Sequence, residues 1–420
     1  MSRIVAHRSG PLSGTIDVPG AKNSVLKLMV ASLYASGEHR LTNVPEISDI
    51  EAMAALLGSL GVDVTFTSPG SHELVLVNGG AVASVAPPDE VGSIRASINL
   101  LGPLLACRGH VRLDMPGGDD FGSRPIDMHV AGLTEMGARF EVDATHLEAR
   151  VDRLRGADVV LDYPSVGATE NIMCAAVHAE GSTTIRHAAR EPEVADLARL
   201  LVEMGARIDG IGTDLLRIEG VPRGSLVPTT HTVVNDRIQA ATYMAATAVL
   251  GGDIVVRGAV TEHMAMFIRK LIDMGVNIEE VTDGIRVSID RRLTTVDVQT
   301  LPYPGVATDY KPLLVTMMAV ADGVGVMTEN LYPGRFRYVE ELSKLGADIR
   351  TDGHHAVVHG VERLRGAAVA APDIRAGAAL VVAGLAAEGR TTISGIEHVE
   401  RGYDDLFGRL SAIGARLERV

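Results

Sequence analysis

Two patterns of apolar positions alternate along the chain. In the first, apolar residues run nearly all round a helix, as from Ile98 to Cys107, and such a helix belongs inside a domain. In the second they keep to one face, as from Asp196 to Met204, which predicts a helix exposed on one side. The first kind ends in glycine (Gly37, Gly109, Gly181, Gly251, Gly323, Gly389) and runs into a strand of alternating polar and apolar residues. The second ends in Leu, Met or Ile before Gly61, Gly137, Gly205, Gly275, Gly346 and Gly414, at spacings of 76, 68, 70, 71 and 68 residues. Two independent series with one period predict six copies of a unit: buried helix, Gly, strand, loop, amphipathic helix, Gly, strands. Three units to a half give two similar domains, with a break near Pro228-Thr229-Thr230-His231, where turn-forming and polar residues separate two apolar patterns.

The starts of the six buried helices carry the first chemistry. Fourteen residues before each glycine of the first series stand Asn23, Arg95, Gly167, Arg237, Asp309 and Arg375, with Lys22, Ser165, Thr169, Asp236, Thr308 and Asp373 beside them. Asp, Ser and Thr there are explained by capping alone. Lys22, Arg95, Arg237 and Arg375 are not, because a cation is unfavourable at the positive end of a helix dipole. Cations at several helix starts make sense if they converge on a shared anion or on paired carboxylates.

The densest run of functional groups is Met115 to His129, where Pro116-Gly117-Gly118-Asp119-Asp120 leads into Gly122-Ser123-Arg124-Pro125-Ile126-Asp127-Met128-His129. Glycines, two carboxylates, an arginine and a histidine are what an active-site lid needs. Composition narrows the partners. A formal net charge of −14 argues against nucleic acid and membrane surfaces, so an anionic substrate needs a local basic cluster. No Trp, six Phe and eight Tyr leave few stacking platforms for single-stranded nucleic acid. Cys107 and Cys174, both in apolar runs, read as reduced buried thiols of a cytoplasmic protein. The N-terminal residues predict no signal peptide, and apolar stretches are too short for a membrane span. There is no P-loop and no zinc spacing, and no cofactor is expected. Asp352-Gly353-His354-His355 predicts a hairpin turn.

Further short motifs stand in order along the whole chain: Gly20-Ala21-Lys22-Asn23, Arg95-Ala96-Ser97, Pro164-Ser165-Val166-Gly167, Arg190-Glu191-Pro192-Glu193, Asp236-Arg237-Ile238, Thr308-Asp309, Arg335-Phe336 and Arg401-Gly402-Tyr403. With the run to His129, they resemble the UDP-N-acetylglucosamine 1-carboxyvinyltransferase family. The sister 5-enolpyruvylshikimate-3-phosphate synthases are expected to show Lys-Ser where this chain has Lys22-Asn23. The resemblance implies an α/β fold: a two-domain inside-out α/β barrel built from six repeats. Residues 22–230 form one domain, with the lid loop 115–125, and residues 1–21 plus 231–420 the other.

It also implies the reaction, transfer of enolpyruvyl from phosphoenolpyruvate to the 3′-hydroxyl of UDP-N-acetylglucosamine with release of phosphate, the first committed step of peptidoglycan synthesis. By resemblance Asp309 is the base, a plain helix cap being the alternative, and Lys22, Arg124 and Arg401 bind the donor anions with Arg335 and Arg375 nearby. Asn23, Arg95, Pro125, Ile126, Asp127, Met128, His129, Ser165, Val166, Gly167, Thr308 and Leu331 line the nucleotide-sugar side. Asp119 stands where many members carry cysteine. To donate a proton its pKa must rise, favoured by Asp120, the substrate anions and lid closure, and opposed by Arg124 and Lys22. A carboxylate is a poor nucleophile towards epoxides, so fosfomycin insensitivity is expected. Gln239, Asn99, Tyr163 and the lack of basic residues over positions 44–48 depart from some members. They keep open an acceptor such as UMP, and a non-catalytic nucleotide-sugar binding protein is the further alternative. Oligomeric state is not legible.

Overall fold

The structure, a computed structural model, describes residues 3–87, 91–92, 94–115, 117 and 125–420. Asp119 and Arg124, and with them most of the expected lid, lie outside the described residues. The chain forms two compact units, dividing between Pro19 and Gly20 and again between Val234 and Asn235. The expected break between 230 and 231 falls inside the strand Thr230–Thr232, which pairs in parallel with Gly37–Thr42 and so stays with the first unit.

Six buried helices are labelled in chain order: α1 (Lys22–Ala31), α2 (Leu101–Arg108), α3 (Val166–Ala176), α4 (Arg237–Leu250), α5 (Lys311–Val320) and α6 (Ile374–Ala386). In α6 every residue from Ile374 to Leu385 is buried, as an all-apolar pattern requires. The run expected as one helix from Ile98 splits into a 3-10 stretch, Arg95–Leu100, followed by α2. Pro103 then falls in the first turn of α2, where its missing N–H costs no hydrogen bond.

Each helix carries its own sheet. In the C-terminal unit, Leu12–Asp17 pairs in parallel with Gly252–Arg257, which continues antiparallel through Gly284–Ile289 to Asn277–Val281. The other two sheets repeat this plan, and so do those of the N-terminal unit, except that one parallel edge strand shrinks to a single bridge, Val85 to Arg112. In the last sheet, Ile4–His7 lies between Arg390–Ser394 and Arg416–Arg419. The chain's first strand thus completes the sixth repeat. The glycines of both series adopt positive φ, between 72 and 124°, at all twelve positions. A side chain there is strained, so the period seen in the sequence is a backbone requirement.

The amphipathic helix that ends before Gly205 is exposed along one face, at Arg199, Val202 and Glu203, and buries Asp196. This helix, Pro192–Glu203, turns the Asp196 carboxylate inward to Ser24 Oγ at 2.6 Å and His231 Nε2 at 3.1 Å. Both cysteines are free; Cys174 is buried and Cys107 half-buried, and burial pushes both thiols up to about 12. Gly353 and His354 form a two-residue hairpin between strands in register from Asp352 and His355. Among the described residues no helix is long and apolar enough to cross a membrane.

Candidate active site

In the C-terminal unit the starts of α4, α5 and α6 converge. Asp309 lies in the 3-10 turn Thr308–Tyr310 that opens α5. Its Oδ1 accepts from Arg375 Nε at 3.0 Å, one residue inside α6, and lies 3.7 Å from Arg335 Nη2. Arg335 also reaches Asp373 at 3.8 Å and donates to Thr308 Oγ1 at 3.4 Å. Burial raises the Asp309 pKa, but the charges of Arg375, Arg335 and Arg237 outweigh it and hold this carboxylate well below the usual range.

Capping now separates three aspartates that look alike in sequence. Asp236 accepts from the N–H groups of Ile238 and Gln239, and Asp373 from those of Arg375 and Ala376. Both cap their helices. Asp309 makes no cap, since the residue before its turn is Ala307 with no side-chain hydrogen bond, and its carboxylate turns to guanidinium groups instead.

The cations are buried: Arg375 is 4% and Arg335 5% exposed. Arg375 stacks its guanidinium on the Tyr403 ring at 5.4 Å, and its Nη1 has no hydrogen-bond acceptor among the described residues. A buried donor without an acceptor is costly unless a ligand supplies one. Arg237 donates to Tyr310 Oη at 3.3 Å and lies over Tyr303 at 5.5 Å. Arg401 is half-buried at the end of the helix Ile396–Glu400, two residues before Tyr403. Leu331 is half-buried in the segment that leads to Arg335.

In the N-terminal unit, Lys22 opens α1, is 9% exposed, and pairs with Asp49 at 2.8 Å. Asn23 follows it, and its backbone carbonyl accepts from Lys27. Arg95 begins the 3-10 stretch before α2, half-buried. Ser165 caps α3, accepting from Ala168 N–H, with Val166 and Gly167 half-buried in its first turn.

His129 belongs with these residues. Pro125 and Asp127 are exposed, whereas Ile126 and Met128 are half-buried at the start of the helix Asp127–Glu135, and His129 is buried. Asn171 Oδ1 accepts from the Gly102 N–H at 2.8 Å, which fixes the amide so that Nδ2 donates to His129 Nδ1 at 3.0 Å. The ring proton therefore sits on Nε2. A Cβ on Gly167 would lie 3.1 Å from that nitrogen, so only glycine leaves the ring its place. Burial, reinforced by the charge of Arg95, pushes His129 down to about 4, and it is a neutral donor at pH 7.

The C-terminal cluster thus gathers Asp309, Arg335 and Arg375 from distant parts of one unit, and the N-terminal one brings His129 to Gly167 and Arg95. Asp49, Lys311 and Glu329 were not singled out in the sequence. An acid in the first turn of an amphipathic helix is the common pattern, so Asp49 gives no local signal. Among the described residues, no group of His, Cys, Asp and Glu is arranged to hold a metal ion.

The chain matches the family described as EPSP synthase (3-phosphoshikimate 1-carboxyvinyltransferase) over residues 6–410. A UDP-N-acetylglucosamine 1-carboxyvinyltransferase of Nocardia farcinica is 48% identical over 97% of this chain and 96% of its own. That of Mycobacterium leprae is 46% identical over 100% and 99%. Among solved structures, the enolpyruvyl transferase NikO from Streptomyces tendae has a TM-score of 0.90 at 25% identity, covering 100% of this chain and 99% of that one. EPSP synthase from Acinetobacter baumannii shares the fold, with a TM-score of 0.75 at 20% identity over 100% of both chains. With helix starts that gather cations and carboxylates in each unit, and similarity running the whole length, the chain belongs to the EPSP synthase family and, within it, to the UDP-N-acetylglucosamine 1-carboxyvinyltransferases.

Proposed function

We propose that this chain transfers the enolpyruvyl group of phosphoenolpyruvate to the 3′-hydroxyl of UDP-N-acetylglucosamine, releasing phosphate, in the cytoplasmic supply of peptidoglycan precursors. The observation that carries this reading is the C-terminal cluster. One ionised, half-buried carboxylate faces two buried guanidinium groups, and Nη1 of Arg375 has no acceptor among the described residues. Such a place suits a small dianion beside a base. Relatives of 46–48% identity carry the sugar-nucleotide name, which favours that acceptor over UMP and over a non-catalytic role.

The addition joins the sugar oxygen to C2 of the donor while a proton reaches C3; elimination then breaks the C2–O bond to phosphate and removes a proton from C3. Asp309 takes the hydroxyl proton. Alone it is a weak base, because Arg375 and Arg335 stabilise its charge. An arriving phosphate and carboxylate draw on the same guanidinium groups, which loosens their hold and raises the basicity of Asp309. Lys22, Arg124 and Arg401, with Arg335 and Arg375, hold the donor. Asn23, Arg95, residues 125–129, Ser165, Val166, Gly167, Thr308 and Leu331 hold the sugar nucleotide, with His129 Nε2–H as one donor. Asp119 delivers the proton to C3. The test is phosphate release from phosphoenolpyruvate with UDP-N-acetylglucosamine, against UMP and shikimate 3-phosphate in parallel. Turnover with the first acceptor alone is expected. Preference for either of the others overturns the acceptor, and no release with any overturns the enzyme.

A further inference from the structure

Behind the Asp309 cluster lies a fully buried ion pair. Lys311, two residues after Asp309, and Glu329 are both 0% exposed, with Nζ 2.9 Å from Oε2. Glu329 is a hub. Its Oε1 accepts from Thr300 Oγ1 at 2.6 Å, Leu331 N–H at 2.8 Å and Tyr332 N–H at 3.1 Å. Its Oε2 accepts from Thr308 Oγ1 at 2.7 Å. Lys311 is further held 4.0 Å over the Phe336 ring, beside Arg335.

The arrangement fixes a direction. Because Thr308 spends its proton on Glu329, its oxygen lone pairs are left to accept, and Arg335 Nη1 donates to one at 3.4 Å. The same carboxylate sets the backbone at Leu331 and Tyr332, the turn that leads to Arg335. Burial pushes Lys311 down to about 8 against the pull of Glu329, and the same pairing holds Glu329 below its usual range. Both groups are therefore charged at pH 7. A buried ion pair contributes little net stability compared with a neutral pair of similar volume, so stability does not account for it.

We propose that Lys311 and Glu329 are positioning residues for the sugar-nucleotide side of the site, acting through the hydroxyl orientation of Thr308 and the backbone of Leu331. The inference rests on the function proposed above. It touches no substrate atom itself; it decides whether two groups that line the acceptor stand ready or must be reordered on binding.

The test is the double variant Lys311→Met with Glu329→Gln in the full chain. The amide oxygen can still accept from Thr300, Leu331 and Tyr332, while the amide nitrogen now faces Thr308 and forces its hydroxyl to accept rather than donate. A native circular dichroism spectrum and thermal transition are expected, with KM for UDP-N-acetylglucosamine raised roughly 10- to 100-fold, the loss of a charged hydrogen bond, a smaller rise in KM for phosphoenolpyruvate through the Arg335 contact to Thr308, and kcat little changed. Thr308→Val is expected to give the same KM change and to be non-additive with the double variant, and Thr308→Ser to restore KM. A folded double variant with unaltered KM for the sugar nucleotide overturns the proposal. Should that variant fail to fold, equal KM values for Thr308→Val and Thr308→Ser overturn it. Absence of turnover by the unaltered protein overturns the functional reading instead, and this inference with it.

Discussion

Replacing Asp309 with asparagine separates a base from a structural carboxylate. The change keeps the shape of the side chain and removes the negative charge that balances Arg375 at 3.0 Å and Arg335 at 3.7 Å. At an effective dielectric of about 20, a unit pair at these distances attracts by about 4.5–5.5 kcal/mol. Desolvation offsets part of this, and breaking a buried pair typically costs about 3–5 kcal/mol. Asp309 keeps 28% of its side chain exposed, so the lower end applies, about 3 kcal/mol after screening. In a unit of roughly 200 residues that lowers Tm by roughly 6–12 °C. A lost cap costs only about 1 kcal/mol.

The pH dependence fixes the sign. The folded pKa of Asp309 lies below its unfolded value of 3.8, so its contribution is present above pH 4 and is lost as pH falls through the folded pKa. The stability gap between the two proteins is therefore expected to be constant from pH 5 to 8 and to close in acid. In the activity assay kcat should fall by roughly 10²- to 10⁴-fold, the usual worth of general base catalysis. KM for phosphoenolpyruvate should hold or fall, because the guanidinium groups are released to the donor. Stopped phosphate release with unchanged Tm contradicts the ion-pair accounting. Native kcat in a folded Asp309→Asn protein refutes the base.

Gly167→Ala places a Cβ 3.0 Å from His129 Cε1 in a ring tethered to Asn171, and is expected to cost about 1–3 kcal/mol and to raise KM for the sugar nucleotide; an unchanged KM contradicts that placement. His129 stays neutral until about pH 4, whereas the unfolded chain takes up that proton near 6.5. Stability is thus lost as pH falls through this window, by about 2–3 kcal/mol at pH 4.5, and His129→Gln should flatten the loss in denaturant midpoints. Asp119→Cys is expected to make the enzyme sensitive to fosfomycin, read as time-dependent inactivation, while rapid inactivation of the unaltered protein contradicts the carboxylate argument.

The periodic architecture was legible in the sequence because its cause is local. A positive φ after each helix demands glycine at that place whatever the rest of the chain does, and all twelve repeat glycines report it. The buried helices were legible for the same reason: a helix apolar all round has no face for water. The chain break was less so, because Thr230–Thr232 is tied to the first unit by pairing with a strand near the other end of that unit and by the His231 contact to Asp196, neither of which is local.

Site chemistry divides along the same line. Cations at helix starts were visible as a local anomaly, but what they balance was not. Asp236, Asp309 and Asp373 occupy similar places in three repeats, and the first two neighbours of each are no guide to its role. Asp236 and Asp373 meet backbone N–H groups two and three residues on, whereas Asp309 meets Arg375, 66 residues away. Asp196, which carries no local signal of its role, turns inward to Ser24 and His231, which arrive there from remote segments. Backbone geometry is paid for residue by residue and is written locally; a buried charge is tolerable only with a partner, and partners are supplied by the tertiary fold.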